Sequence, residues 1–319
     1  MSQLPVGSAP AISFVTNEMR TEISNFQSFL ISKVGRPLPP SNILWHYTNF
    51  GGLHGILDSK SIYTTQHSCL NDCMEYLHLP KLIVDELDRR IQTADDPKVK
   101  DLYEAAHREL GDTDIAGTGH FVACLSEDED DLGQWRGYGG GTCGYAIGFR
   151  ADDLMIAITR RPGTLLVPME YRVEVHQRIA LEIIKFTETL YRNHAADFGI
   201  EFGLFGEQLR AEVAAGLDVI VSCVKHHKFG FEHERRITTK LLHGEHERMV
   251  FLQKQTLLAR HLPLSLLPNE SDHLLPIAKV MIGPGPAQGV TQVAVGDLLK
   301  KYGYDPAITV KSQVPYRIP

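Results

Sequence analysis

Ile43-Leu44-Trp45-His46-Tyr47-Thr48-Asn49-Phe50-Gly51-Gly52-Leu53-His54-Gly55-Ile56-Leu57-Asp58-Ser59-Lys60-Ser61-Ile62-Tyr63-Thr64-Thr65 is the stretch on which the fold turns. Ile43 to Thr48 is a short apolar and aromatic run, suited to a buried strand. Asn49 can cap a short helix from Phe50 to Ser59. Ser61 to Thr65 then reads as a second strand. Two strands joined by a short helix lie close together, so His46 and Tyr63 are expected to share a cleft. An aromatic face and an imidazole there suit a flat ring. Tyr63 would stack on it, and His46 would donate a hydrogen bond to a sugar or amide. The competing reading is a core strand that carries an aromatic pair.

Upstream, residues 1–10 read as a loose polar leader. From Ala11 to Val34, apolar residues recur at Phe14, Val15, Met19, Ile23, Phe26 and Leu30, the spacing of an amphipathic helix. Pro37, Pro39 and Pro40 end it. Downstream, Leu70-Asn71-Asp72 reads as a turn, with Asn71 or Asp72 capping the next helix and Glu75 at capping-box distance from Asp72. Two helices fill residues 73–110, interrupted at Asp95-Asp96-Pro97. Strands are expected at residues 121–125, 145–149, 165–173, 235–242, 249–258, 277–282 and 307–311. Residues 128–135 read as an acidic helical turn, and helices are expected at 174–196, 205–224 and 290–302. Strands arrive in neighbouring groups rather than in strict alternation with helices. That describes an α+β domain over residues 41–319, preceded by a leader and helix at 1–40, with helical insertions at about 73–110 and 174–224.

With 319 residues, 43% hydrophobic and 22% charged, the chain has a globular composition. A net charge of -7 argues against a general binder of phosphate backbones. A nucleic-acid acceptor would need a local basic patch, for which Lys225, Lys228, Arg235 and Arg236 are the candidates. Five cysteines without a C-x-x-C, and fifteen histidines without H-E-x-x-H, give no reason to expect a disulfide framework or a metal site. No basic segment followed by an apolar core opens the chain, and no window approaches the ~18 apolar residues of a membrane span. The expectation is a cytoplasmic protein without a membrane partner.

Two further constellations bear on chemistry. Gln134-Trp135-Arg136-Gly137-Tyr138-Gly139-Gly140-Gly141 would let backbone N–H groups and Arg136 approach a phosphate, but it is neither a Walker loop nor a dinucleotide fingerprint. A flexible turn feeding the next strand explains the glycines equally well. Lys225, Phe229, Glu232, Glu234 and Arg236 form the other. In an extended segment residues two apart face the same way, so Glu232, Glu234 and Arg236 would make a charged row. That row is either a solvated edge or a carboxylate pair at a cleft.

In their order, these segments resemble a bacterial family of uncharacterised proteins. Its pattern is matched by His46-Tyr47-Thr48, Leu70-Asn71-Asp72 with Glu75, Ser126, Trp135 with Tyr138, Glu232, Glu234 and Arg236, and Ser312-Gln313-Val314-Pro315-Tyr316-Arg317. That family looks like a divergent branch of the ADP-ribosyltransferase fold. The resemblance implies a split β-sheet core and NAD as substrate. It casts His46 as the group holding ribose and amide, Tyr63 as the ring stacking on nicotinamide, and Glu234 as the catalytic carboxylate. Glu232 would be the upstream acceptor-positioning member, with the two roles open to exchange. Tyr47, Thr48, Asn71, Arg136 and Tyr138 would complete the NAD site. The implied activity is ADP-ribosylation of a protein or nucleic acid by a toxin or phage-defence effector, with an antitoxin or inhibitor protein as a partner. NAD hydrolysis and non-catalytic nucleotide sensing are the rival readings.

Overall fold

The computed structural model describes residues 16–70, 75–111, 119–139, 144–194, 219–254 and 257–315. The expected leader, Asn71, Asp72, Gly140, Gly141, Tyr316, Arg317 and most of the helix expected at 205–224 lie outside the described residues. Two compact units emerge. One takes in residues 1–33, 79–113 and 174–221, the other residues 34–78, 114–173 and 222–319.

The first unit is helical. It contains α1 (Asn17–Val34) up to Lys33, α3 (Glu75–Thr93) from Leu79 onward, α4 (Pro97–Gly111) and α7 (Val173–His194) from Glu174. Met19, Ile23 and Leu30 of α1 are buried, as their spacing requires, and Phe26 stacks on Phe186 of α7 with ring centroids 4.0 Å apart. The Tyr103 hydroxyl of α4 donates to Glu188 of α7 at 2.7 Å.

The second unit is built on a sheet of ten described strands. They are β1 (Ile43–Thr48), β2 (Ser61–Gln66), β3 (His120–Ser126), β4 (Tyr145–Arg150) and β5 (Leu165–Pro168). The others are β6 (Glu234–Lys240), β7 (Val250–Lys254), β8 (Leu257–Ser265), β9 (Ile277–Ile282) and β10 (Thr309–Lys311). The order is β10-β9-β4-β1-β3-β2-β8-β7, with β6 paired to β3 and β5 to β6. Only the β9–β10 pair is parallel among these. The mixed, mostly antiparallel α+β architecture agrees with the grouping of strands in the sequence.

Among the described residues, four α-helices lie wholly in this unit: α2 (Phe50–Ser59), α5 (Leu132–Tyr138), α6 (Ala151–Thr159) and α8 (Gln288–Lys301). Asn49 caps α2 as expected, its side chain accepting from the Gly52 N–H at 3.0 Å. Leu53 and Leu57 of α2, Leu154 and Ile158 of α6, and Leu299 of α8 pack with Leu44, Phe149, Ile237 and Val280 of the sheet in one apolar core. A smaller cluster of Trp45, Tyr47, Trp135, Ala146 and Met281 joins α5 to β1 and β4.

β3 divides the sheet. β6 occupies one edge along its whole length, Ser126 opposite Glu234 through His120 opposite Lys240. On the other edge β1 meets it at Trp45 opposite Ser126, and β2 at Thr65 opposite Val122 and Gln66 opposite Phe121. Among the described residues no strand pairing covers Ala123–Leu125 on that edge, and the sheet parts there.

Three expectations need correction. The acidic turn is not the helix: Asp131 is the N-cap, accepting from the Gln134 N–H at 2.8 Å, and α5 runs three residues further than expected. The strand expected at 249–258 is two antiparallel strands, with Lys254 opposite Leu257. The one expected at 165–173 stops at Pro168. Also, α6 carries apolar residues on both faces, Leu154 and Ile158 buried but Met155 and Ile156 exposed, so its stripe is blurred.

Gly148 lies opposite Trp45, where an added Cβ would come within 3.0 Å of the Trp45 ring and 2.9 Å of the Ile43 side chain. Trp45 is 2% exposed and has nowhere to move. Gly148→Ala should therefore cost about 1–3 kcal/mol, the usual penalty of overpacking, read as a lower urea midpoint. An unchanged midpoint would mean the indole is not held as described.

Candidate active site

Where the sheet parts, a cleft of about 860 Å³ opens within the second unit. β1 supplies His46 and Thr48 to its wall, β2 supplies Tyr63 and Thr65, and β3 supplies Ala123 and Cys124. Gly51, Gly52 and Gly55 of α2 bring bare backbone to another side, with Ile56 and Ser59 of the same helix beside them. The approach is close: a Cβ at Gly52 would fall 1.9 Å from the Thr48 hydroxyl. Glu232, Lys225 and Arg236 close the inner end, with Tyr138 beside them. A smaller cavity of about 50 Å³ adjoins and is lined by His46, Cys124, Ser126, Tyr138, Glu232 and Glu234.

His46 bridges the parted strands. Its Nδ1 lies 3.1 Å from the Cys124 carbonyl oxygen, in the gap that backbone pairing leaves. A carbonyl only accepts, so Nδ1 carries the hydrogen. Burial lowers the His46 pKa, the Cys124 bond opposing it, and the ring is therefore neutral at neutral pH. Its Nε2 then offers a lone pair. The expected donor is in fact an acceptor, fitted to a hydroxyl rather than to a carbonyl.

Behind the cleft lies a cluster of four charges. Glu234 is 3% exposed and Arg236 1%. They sit two apart on β6, and Arg236 donates to both Glu234 oxygens at 2.6 and 3.2 Å. Lys225 Nζ bridges the carboxylates, 2.5 Å from Glu232 and 2.8 Å from Glu234. For Glu234, burial alone would raise the pKa, but Arg236 and Lys225 outweigh it and hold the carboxyl down to about 2. For Glu232 burial wins over Lys225 and the pKa is raised.

The charged row expected on one strand takes a different form. Glu232 ends a 3-10 turn, His227–Glu232, and His233 is left-handed with φ 40° before β6 begins. This reversal turns both carboxylates onto Lys225. Ser126 supports it, donating to the Glu232 carbonyl at 2.9 Å, while Tyr171 accepts from the Glu234 N–H at 3.0 Å.

The other expected residues divide. Thr48, Tyr63 and Tyr138 line the cleft, Tyr63 40% exposed and available to a ligand. Tyr47 reaches the cleft wall, but its hydroxyl donates to the Asp128 carbonyl at 2.8 Å and accepts from the Asp131 N–H at 3.1 Å. Its ring meets Trp135 edge-on at 4.7 Å, so its work is scaffolding. Arg136 is exposed on α5 and is not part of the cleft wall. The basic patch dissolves as well: Lys225 and Arg236 belong to the buried cluster, and Arg235, 3% exposed, donates to Glu127 at 2.5 Å. Of the four, Lys228 alone is exposed.

Sequence reasoning missed Cys124, the bare glycine side of α2, and His261, which bonds Thr65 at 3.1 Å. The glycines at i, i+1 and i+4 of a ten-residue helix were a readable signal. For His261 there was none once β8 went unseen.

Residues 134–237 match the model of a family described as "Protein of unknown function (DUF2971)". The match spans α5 to the start of β6 and includes Tyr138, Lys225, Glu232, Glu234 and Arg236, but not His46 or Tyr63. No curated protein and no solved structure matches the chain. Among the described residues no helix is long and apolar enough to cross a membrane, and no group of three or more His, Cys, Asp or Glu is placed to hold a metal ion.

Because the Glu234 pKa is depressed on folding, its stabilisation is complete above the ordinary carboxyl value of 4.5 and is lost as the pH falls toward about 2. Glu234→Gln should cost roughly 3–5 kcal/mol at pH 7, since it leaves buried cations short of charge. The gap from wild type should close as the pH falls through that window, as read by urea unfolding. A gap that does not depend on pH would contradict the charge cluster.

Proposed function

We propose that the chain is an NAD-dependent ADP-ribosyltransferase, with the split sheet of that fold, acting on a macromolecular acceptor. The observation that carries this reading is the meeting of His46, Tyr63 and Glu232 on one cleft, with Glu234 directly behind. Those three residues come from separate parts of the chain, and each has the chemistry the reaction asks for. A cleft of about 860 Å³ is of the size that takes an extended dinucleotide. The ordered resemblance from His46 to Arg317 supports the same reading.

In the reaction, the bond from ribose C1′ to the nicotinamide nitrogen breaks, and nicotinamide leaves neutral with the electron pair. Positive charge develops on the ribose. A nucleophile of the acceptor forms the new bond at C1′ and releases a proton. Tyr63 offers its exposed ring to nicotinamide, and the Nε2 lone pair of the neutral His46 accepts from a ribose hydroxyl. A carboxylate beside the ribose stabilises the developing charge. Of the two glutamates, Glu232 suits that role. Glu234 already accepts three hydrogen bonds from Arg236 and Lys225 and sees only the small inner cavity. Its part is to anchor the cations that frame the site.

We place the protein in the cytoplasm, where NAD is available, as a toxin or antiviral-defence effector restrained by an antitoxin or inhibitor protein. That setting follows from the families the motifs resemble.

Incubation with NAD labelled in the adenylate half tests the proposal. Label transferred to a macromolecule is the expected result. Free labelled ADP-ribose instead would make the chain a glycohydrolase, and binding without turnover would make it a sensor. Glu232→Gln should lower turnover by about 10²-fold or more while leaving NAD affinity little changed. Tyr63→Ala should weaken NAD binding by up to about tenfold, through lost stacking. Full activity in Glu232→Gln would overturn the choice of carboxylate.

A further inference from the structure

We propose that Lys225 is a positioning residue whose ammonium, wedged between Glu232 and Glu234, keeps the Glu232 carboxylate ionised and aimed into the cleft. What that carboxylate then does rests on the NAD reading above, but the wedge itself is a matter of geometry. Two carboxylates that share one largely buried region repel, and without a cation between them one takes up a proton. Here each contributes its Oε2 to the same ammonium, at 2.5 and 2.8 Å.

The ammonium is held from several sides. Lys225 is 5% exposed, and its Nζ lies 5.0 Å from the centre of the Phe229 ring. Its backbone N–H donates to the Glu170 carbonyl at 3.0 Å, beside the parallel bridge of Glu170 to Val224. The lysine stem therefore leaves from a fixed strand-like segment, not from the turn that carries Glu232. Wherever the ammonium sits, Glu232 must follow.

Among the described residues, the groups around Glu232 supply two cations, Lys225 and Arg236. From β6 come Glu234 and Arg236, from β3 Cys124, from α5 Tyr138, from β1 His46, and Tyr171 lies behind Glu234. Burial raises the Cys124 thiol and the Tyr138 and Tyr171 phenols, and it lowers the His46 imidazole, so all four are neutral near pH 7. Arg236 is committed to Glu234 through two hydrogen bonds. Among the described residues, two cations thus face two carboxylates, Arg236 bonding Glu234 and Lys225 bonding both. Removal of Lys225 leaves one cation for two anions, and the less enclosed carboxylate, Glu232, is the one that protonates.

The test uses the full-length protein with its glutamate side-chain carboxyl carbons labelled with carbon-13, followed by NMR across pH. The Glu232 resonance is identified by its disappearance in Glu232→Gln. In Lys225→Met, Glu232 should become about tenfold or more weaker as an acid, its midpoint rising by at least about one pH unit, and Lys225→Arg should restore most of the shift. In the same variant the acid limb of NAD turnover should move up with it, with kcat falling at neutral pH and KM for NAD little changed. An unchanged Glu232 midpoint in Lys225→Met overturns the proposal. If Lys225→Met does not fold, the double variant Lys225→Met/Glu232→Gln decides. Recovery of folding shows that uncompensated Glu232 was the fault, whereas continued failure makes Lys225 a prop for Glu234 alone and overturns the assignment. The carboxyl titration needs no turnover, so a wild-type protein that leaves NAD intact would sink the NAD reading and not this one.

Discussion

Lys225 and Arg236, locked with Glu232 and Glu234 at the largely buried end of the cleft, are the constraint on which the site depends. Charges are costly to bury, and the cost is offset only when every member keeps its partner. That condition fixes more than four side chains. It requires β6 in register with β3, so that Glu234 lies opposite Ser126 and Arg236 opposite Cys124. It requires the left-handed turn at His233 to deliver Glu232, and the segment at Glu170 to deliver Lys225. A slip of one residue in β6 would send Glu234 and Arg236 together to the opposite face and leave Lys225 with Glu232 alone. The cluster thus sets the pairing of the strands that open the cleft.

β3 is the other half of the arrangement. One of its edges is filled by β6, and the other is shared between the ends of β1 and β2. The gap between them makes the cleft, and the His46 ring meets the carbonyl that the missing ladder would otherwise have satisfied. A buried carbonyl in need of a donor and a histidine in need of an orientation answer each other. The same bond decides which ring nitrogen faces a ligand.

Much of this was legible in the sequence because local signals agreed. Ile43–Thr48, the Asn49 cap and Ser61–Thr65 each carried a strand or helix signal, and β1, α2 and β2 fall there. The convergence of His46 and Tyr63 followed from the short connection. What was not legible lies in tertiary partners. Tyr47 reads like a ligand-facing aromatic, yet its hydroxyl is taken by the turn at Asp128–Asp131. Trp135 and Ser312 belong to the pattern of the resemblance, and both bond Asp130, at 2.7 and 2.6 Å, tying α5 to the segment after β10. The period-two rule placed Glu232 and Glu234 on one strand, but a left-handed residue intervenes, and only the shared lysine brings them together. Of the four candidates for a basic patch, Lys225, Arg235 and Arg236 spend their charges on internal carboxylates, which composition alone does not reveal.

We propose that the gap beside β3 is an NAD site with Glu232 as its acting carboxylate. The most direct measurement is a crystal structure of Glu232→Gln grown with NAD, a variant in which turnover is blocked and the dinucleotide should persist. The expected result is nicotinamide stacked on Tyr63, a ribose hydroxyl on His46 Nε2, and residue 232 beside the ribose. NAD bound elsewhere on the molecule, or a cleft that stays empty at saturating NAD, would contradict it.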